Sequence, residues 1–167
     1  MGHEPSASSQ HLVLKIAAGA FYTQIFTVRT YGGEGFAAIG SSHGDFTVDA
    51  GILFARGRTE HGLAVTKARA TASFEWSDGL LRLGLGPSFG SLSMDRATFA
   101  QDSLPREQSP LQQLSLGGEV HGSVDLVRAE SGSALFLRLS FDAESGAWVS
   151  PALLLGYRLD AAPKPGR

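Results

Sequence analysis

Three side chains that could carry acid–base or metal chemistry recur within one short stretch of this sequence. Glu119, His121 and Asp125 are spaced by two and four positions, so an extended strand would place all three on one face. An imidazole beside two carboxylates can bind a metal ion or move a proton. Polar residues on a strand face more commonly form a hydrogen-bonded network. We therefore predict a network, with no metal site and no catalytic site.

A glycine-rich segment offers the second candidate for chemistry. Gly86-Pro87-Ser88-Phe89-Gly90 matches the G-x-S-x-G pattern that surrounds the nucleophile of many hydrolases. That pattern needs a strand, a sharp turn and then a helix, whereas residues 91–94 continue as strand. A hydrolase that uses Ser88 is therefore the weakest of the functions considered, and these glycines form no dinucleotide-binding loop. The sequence predicts no enzyme activity and no cofactor.

Polar and apolar side chains alternate along much of the chain, so every second residue of a segment lies on the same face. We call each such set of residues a parity, and the charged residues fall mainly on one of the two. The opposite parity carries Leu, Val, Ile, Phe and Ala almost without charge. If the polar parity is enclosed, its charges must pair, because an unpaired charge is costly to remove from water. Six cationic residues face four carboxylates on this parity, so we predict an internal salt-bridge network. Its predicted members are Lys67, Arg69, Glu75, Arg82, Glu119, His121, Asp125, Arg138 and Arg158, with Lys15 and Asp49 on the same parity.

The elements that position these residues are strands. A side-chain period of two runs through most of the chain, and two such segments around a Glu-Ser-Gly-Ala turn at 144–147 read as a hairpin. Asp78-Gly79 is a second hairpin signal. Because Leu92 and Met94 change parity after Phe89, we also expect a bulge there. With about eight consecutive strands and no amphipathic helix, the predicted fold is an all-β, antiparallel up-and-down barrel.

Length and composition set the remaining bounds. The 167 residues suit one domain, and we predict a disordered segment at 1–10, a barrel at 11–159 and a disordered tail at 160–167. A net charge of -2 gives no reason to expect nucleic acid, and the absence of cysteine excludes disulfides and thiol chemistry. Residues 1–10 do not have the basic and apolar regions of an export signal.

Two orientations of the barrel wall remain open. In a soluble, lipocalin-like barrel the apolar parity points inward, and Ile52, Leu83, Leu85, Leu137 and Leu153 line a cavity for a hydrophobic ligand. In a membrane barrel the same parity meets lipid and the polar parity fills the lumen. The second orientation is favoured by glycines within the strands and by the length of the longer strands. It is also favoured by longer connections at 24–34 and 95–113, although the connections at 57–62 and 142–147 are short.

Two segments carry a resemblance to a known family. RLGLGPSFGSLSM at 82–94 and SPALLLGYRL at 150–159 resemble strands of small Gram-negative outer-membrane barrels of the OmpA-like transmembrane type. The ending Gly156-Tyr157-Arg158-Leu159 is similar to the C-terminal strand signal of such proteins. The resemblance implies a monomer in the bacterial outer membrane, in contact with its lipid. It also implies a structural, anchoring or interaction role, with envelope or surface partners reached through the 95–113 loop. Because side chains just fill an eight-stranded barrel, we expect a plugged lumen.

Overall fold

The chain folds into one closed barrel of antiparallel strands. The computed structural model describes residues 10–25, 28–94, 111–144 and 148–161. Each strand pairs with the next in sequence and β1 pairs with β8, which confirms the predicted up-and-down barrel. The strands are β1 (Gln10–Ile25), β2 (Val28–His43), β3 (Phe46–Thr59), β4 (Ala64–Asp78), β5 (Leu81–Met94), β6 (Leu111–Arg128), β7 (Ala134–Glu144) and β8 (Trp148–Ala161).

Two tight turns fix the hairpins at β2–β3 and β4–β5. Each turn has two residues between the strands and contains one glycine, Gly44 or Gly79, with a φ of 60° or 58°. This left-handed conformation costs glycine little and other residues more, so these positions set where the chain reverses. The Asp78-Gly79 hairpin predicted from sequence is confirmed.

The barrel has two distinct ends. The connections at 26–27, 60–63, 95–110 and 145–147 leave one end, which we call the loop end. The turns at 44–45, 79–80 and 129–133 lie at the other end, which we call the terminal end because β1 begins there and β8 finishes there.

Several predicted boundaries differ from the structure. The connection expected at 24–34 is wrong, because most of that segment lies in β1 and β2. Residues 111–113 belong to β6, residues 57–59 to β3 and residues 142–144 to β7, so three predicted connections are shorter than expected. Predictions that concern residues 1–9, 95–110 and 162–167 lie outside the described residues.

The bulge expected near Phe89 is also wrong. Strand β5 pairs with β4 and β6 without a change of register, and alternation continues through Leu92, which lies inside the barrel. Leu92 packs there against Val65, so an apolar residue at this position does not mark the outer face. The register shift that does occur lies in β6, between Asp125 and Val127.

The wall of the barrel is apolar outside and charged inside. Leu83 and Leu153 point outward and are 48% and 52% exposed, whereas Arg138 and Arg158 point inward and are 2% exposed. The structure therefore does not favour the soluble alternative, because the leucines that it placed around a ligand cavity lie on the outer surface. Ile52 and Leu85, which it placed in the same cavity, are also exposed.

One side of the lumen holds a small apolar cluster. Its largest members come from five strands: Phe21 from β1, Phe36 from β2, Leu53 from β3, Phe136 from β7 and Leu154 from β8. The interior therefore contains both buried ion pairs and apolar side chains that pack against one another.

Inward-facing glycines make room for large side chains in this narrow interior. A Cβ atom at Gly51 would lie 2.9 Å from the ring of Phe36, and one at Gly156 would lie 2.6 Å from the ring of Phe136. Real Cβ atoms do not approach other atoms this closely. These glycines let an eight-stranded barrel accommodate bulky residues, although glycine otherwise weakens a strand.

Candidate functional site

A first group of charges lies toward the terminal end of the lumen. Lys15 on β1 donates hydrogen bonds to Asp49 on β3 at 2.6 Å and to Glu75 on β4 at 3.0 Å. The hydroxyl of Ser73 donates to the other oxygen of Asp49 at 2.6 Å. A single lysine thus bridges two carboxylates on other strands, so each of these buried carboxylates has a cationic partner.

His121 extends this group across the lumen. Its Nε2 lies 3.2 Å from Glu75 Oε2, and its Nδ1 lies 3.2 Å from Glu119 Oε1. Glu119 also accepts a hydrogen bond from Arg138, whose guanidinium carbon lies 4.4 Å from the centre of the Phe36 ring. Such a cation–π contact gives the guanidinium a partner on its apolar side.

Asp125 belongs to the same terminal-end group and is joined to Glu75 by Arg82, which lies 3.5 Å from Glu75. It accepts two hydrogen bonds from Arg158, at 2.8 Å and 3.0 Å, in the bidentate geometry that gives the stronger ion pairs. Arg128 also donates to Asp125, and Arg82 lies 3.8 Å from it. The carboxylate of Asp125 is hydrogen-bonded to Arg128 and Arg158. The structure therefore does not bring Glu119, His121 and Asp125 together in one metal or acid–base site.

A second group of charges lies toward the loop end. Lys67 and Arg69 on β4 face Asp142 and Glu144 on β7, with nitrogen–oxygen distances between 2.5 Å and 3.5 Å. Each cation contacts both carboxylates, so the four side chains form a compact network of ion pairs across the lumen. Glu34 on β2 is buried as well, at 3% exposed.

All nine residues of the predicted network point into the barrel, in two groups. Lys67 and Arg69 belong to the loop-end group, and the other seven belong to the terminal-end group. Sequence reasoning missed Glu34, Asp142 and Glu144, because it assigned their segments to connections. The alternation from Arg138 through Ser140 continues to Asp142 without a break and could have identified the last two.

Ser88 has a structural environment. It lies in the interior of β5, where Arg69 Nη2 donates a hydrogen bond to its hydroxyl at 3.1 Å. Residues 86–90 form continuous strand, which differs from the strand–turn–helix that a nucleophile elbow requires. The described residues also include no group of three or more His, Asp or Glu side chains that could hold a metal ion.

The cavity found among the terminal-end charges is small. A cavity of about 10 Å³ lies among Lys15, Glu75, Arg82, Arg138 and Arg158, with Ser123 and Phe136 completing its lining. One water molecule needs about that volume, so a small-molecule ligand does not fit. The larger hollows found in the described part of the chain open on the outer wall.

A solved structure shares this fold. The crystal structure of Neisserial surface protein A superimposes on this chain with a TM-score of 0.56 at 14% identity. The match covers 89% of this chain and 96% of that chain. No family model and no curated protein sequence matches the chain. Among the described residues, no helix is long and apolar enough to cross a membrane.

Proposed function

We propose that this protein is a small outer-membrane barrel of Gram-negative bacteria, of the OmpA-like transmembrane type. The observation that carries the proposal is the inverted polarity of the wall. Thirty large apolar side chains of the described residues are exposed, while ion pairs occupy the interior. Exposure of such an apolar outer surface to water is unfavourable, and its contact with a lipid bilayer is favourable.

The dimensions of the wall suit a bilayer. The strands have between 11 and 18 residues, and a tilted strand needs about 9–11 residues to cross the hydrocarbon layer. Tyr22 and Tyr31 pair on the outer face near the loop end, and Trp76 lies on the outer face near the terminal end. Aromatic residues at both edges of an apolar band are typical of transmembrane barrels. The side chain of Trp148 lies outside the described residues.

The interior supports the proposal of a plugged lumen. The two charged groups and the apolar cluster lie in the lumen, and the cavity among the terminal-end charges has about the volume of one water molecule, which supports a plugged lumen. We therefore assign no transport pathway and no catalytic step to the lumen. The remaining role is structural, anchoring or interactive, carried by a monomer embedded in outer-membrane lipid.

Partners are proposed to bind at the loop end. Residues 95–110 form the longest connection between strands, and long connections of outer-membrane barrels lie on the cell surface. Envelope or surface partners would therefore contact this connection.

Two measurements test the membrane barrel. The protein refolded in dodecyl maltoside should run with different mobility before and after boiling, and should show no steady conductance in a planar bilayer. A monodisperse, detergent-free monomer would contradict the membrane location. A stable conductance from the heat-modifiable form would contradict only the closed lumen.

A further inference from the structure

A shallow groove runs along the outer wall over β1, β2 and β3. Its floor is made by small residues, and its side is made by Ile52 and Phe54, which are 67% and 56% exposed. The groove has a volume of about 630 Å³, and a second hollow of about 480 Å³ continues it toward the terminal end. The small floor residues are Ala17, Ala18, Gly19, Gly33, Gly35 and Ala37. Glu34 and Phe36 also belong to the lining, but both residues are buried, at 3% and 5% exposed.

Two of the floor glycines are not required by the fold. A Cβ atom at Gly33 would meet its nearest neighbour at 3.7 Å, and one at Gly35 would meet its nearest neighbours at 4.0 Å, which are ordinary contacts. Neither residue has a positive φ. The backbone thus tolerates larger side chains at both positions, and the effect of the two glycines is to leave the groove open.

Arginines gather where the groove reaches the loop end. Arg56 lines the groove, and it is the first charged residue after the outward apolar run of β3 that finishes at Phe54. Arg58 follows on the same face, and Arg29 lies on the adjacent strand. All three are exposed, and none has an ion-pair partner among the described residues. Glu60, an acidic residue of the 60–63 connection at the same end, lies 3.8 Å from His61.

We propose that this groove binds a phosphorylated lipid of the leaflet at the loop end. One acyl chain would lie over Gly33 and Gly35, against Ile52 and Phe54, and the phosphate would contact Arg56 and Arg58. Charge complementarity selects this occupant, because guanidinium groups that have no ion-pair partner in the described part of the chain lie at the edge of an apolar band and match a lipid with an anionic head group. The inference rests on the membrane location proposed above.

Native mass spectrometry of the protein in dodecyl maltoside micelles tests this site. The probe is dimyristoyl phosphatidic acid, and the comparison ligands are dimyristoylglycerol and inorganic phosphate. We expect one retained phosphatidic acid per protein, with a preference over dimyristoylglycerol of about fivefold for each arginine that contributes. Arg56→Gln combined with Arg58→Gln should remove this preference, and Gly35→Leu should weaken retention of both lipids about tenfold.

The control is Gly118→Leu, which adds the same side chain to another outward glycine, on β6. If Gly35→Leu fails to give heat-modifiable mobility, Gly33→Leu replaces it. Equal retention by the groove variant and the control, or equal binding of dimyristoylglycerol, would overturn the proposal. Saturation of the site by inorganic phosphate alone would also overturn it. If the wild-type barrel folds in micelles but retains no lipid, only this inference fails and the proposed function stands.

Discussion

The imidazole of His121 occupies the space in the lumen that a side chain at Gly84 would fill. Gly84 on β5 pairs with Glu75 on one side and with His121 on the other. A Cβ atom at position 84 would overlap the ring, so the glycine lets His121 reach over β5 to Glu75. The ion network and the glycine pattern are therefore two parts of one packing arrangement.

Gly84→Ala is the first predicted perturbation. His121 is held on both sides by carboxylates and is almost fully buried, so it can yield to the new methyl group only by losing those contacts. We expect the free energy of unfolding to fall by about 1–3 kcal/mol, the usual cost of overpacking. Urea titration of the barrel in detergent micelles, followed by heat-modifiable mobility, measures the change.

Gly118→Ala is the matched control for that prediction. Gly118 faces outward, and its Cβ atom would meet the nearest atom at 3.5 Å, so the change should stay within about 0.5 kcal/mol. In a His121→Ala background, Gly84→Ala should lose most of its effect, because the two residues are coupled. Additive effects in this cycle would show that the glycine serves another purpose.

Glu119→Gln is the second prediction and tests the pairing of buried charge. Glu119 accepts a hydrogen bond from Arg138 and lies 3.2 Å from His121. Removing its charge leaves a buried guanidinium without its carboxylate, and we expect a loss of about 3–5 kcal/mol in the same urea titration. Glu130→Gln, an exposed position in the 129–133 turn, should change stability by less than about 0.5 kcal/mol.

A paired replacement separates charge balance from packing. Glu119→Leu combined with Arg138→Met removes both charges and keeps similar volume, which often costs nothing. We expect the double variant to be clearly more stable than Glu119→Gln. If it is equally destabilised, packing around Phe36 rather than charge pairing accounts for the loss.

The fold was largely predictable because the two parities differ so strongly. In β4, for example, Lys67, Arg69 and Glu75 alternate with Ala68, Ala70 and Trp76, and this period specifies both strand and face. Alternation alone does not say which face is inside, since a soluble barrel and a membrane barrel share it. The structure shows which face points inward, because Leu83 lies on the outside of the barrel and Arg138 on the inside.

The errors arose where local signals were ambiguous. The segment YGGEG at 31–35 resembles a loop, although pairing with β1 and β3 makes it strand. This misreading hid Glu34. Leu92 was misread for another reason, since apolar residues can also fill a lumen when they meet a partner such as Val65. Only the assembled barrel shows which neighbours are present.

Leu85→Arg is the third prediction and tests whether the outer wall faces lipid, as proposed. Leu85 is 61% exposed and lies in the middle part of β5, between Phe74 and Val120 on the neighbouring strands. An arginine near the bilayer midplane of a barrel costs about 2–4 kcal/mol, and the same change near the interface costs about 0–1 kcal/mol. Leu80→Arg, at an exposed leucine of the 79–80 turn, is the control. Urea titration in lipid vesicles should separate the two variants, and equal stabilities would contradict a membrane-embedded wall.

The fourth prediction concerns orientation in the membrane. The connection at 95–110 leaves the loop end, and the turn at 129–133 leaves the terminal end, so an epitope tag in each must lie on opposite sides of the bilayer. Because the longer connections of outer-membrane barrels face outward, we expect antibody to stain intact cells that carry the tag at 95–110. Cells that carry it at 129–133 should stain only after the outer membrane is permeabilised. Staining in the reverse order would place the arginines of the groove in the inner leaflet, and staining of both tags on intact cells would show that the chain does not span the membrane.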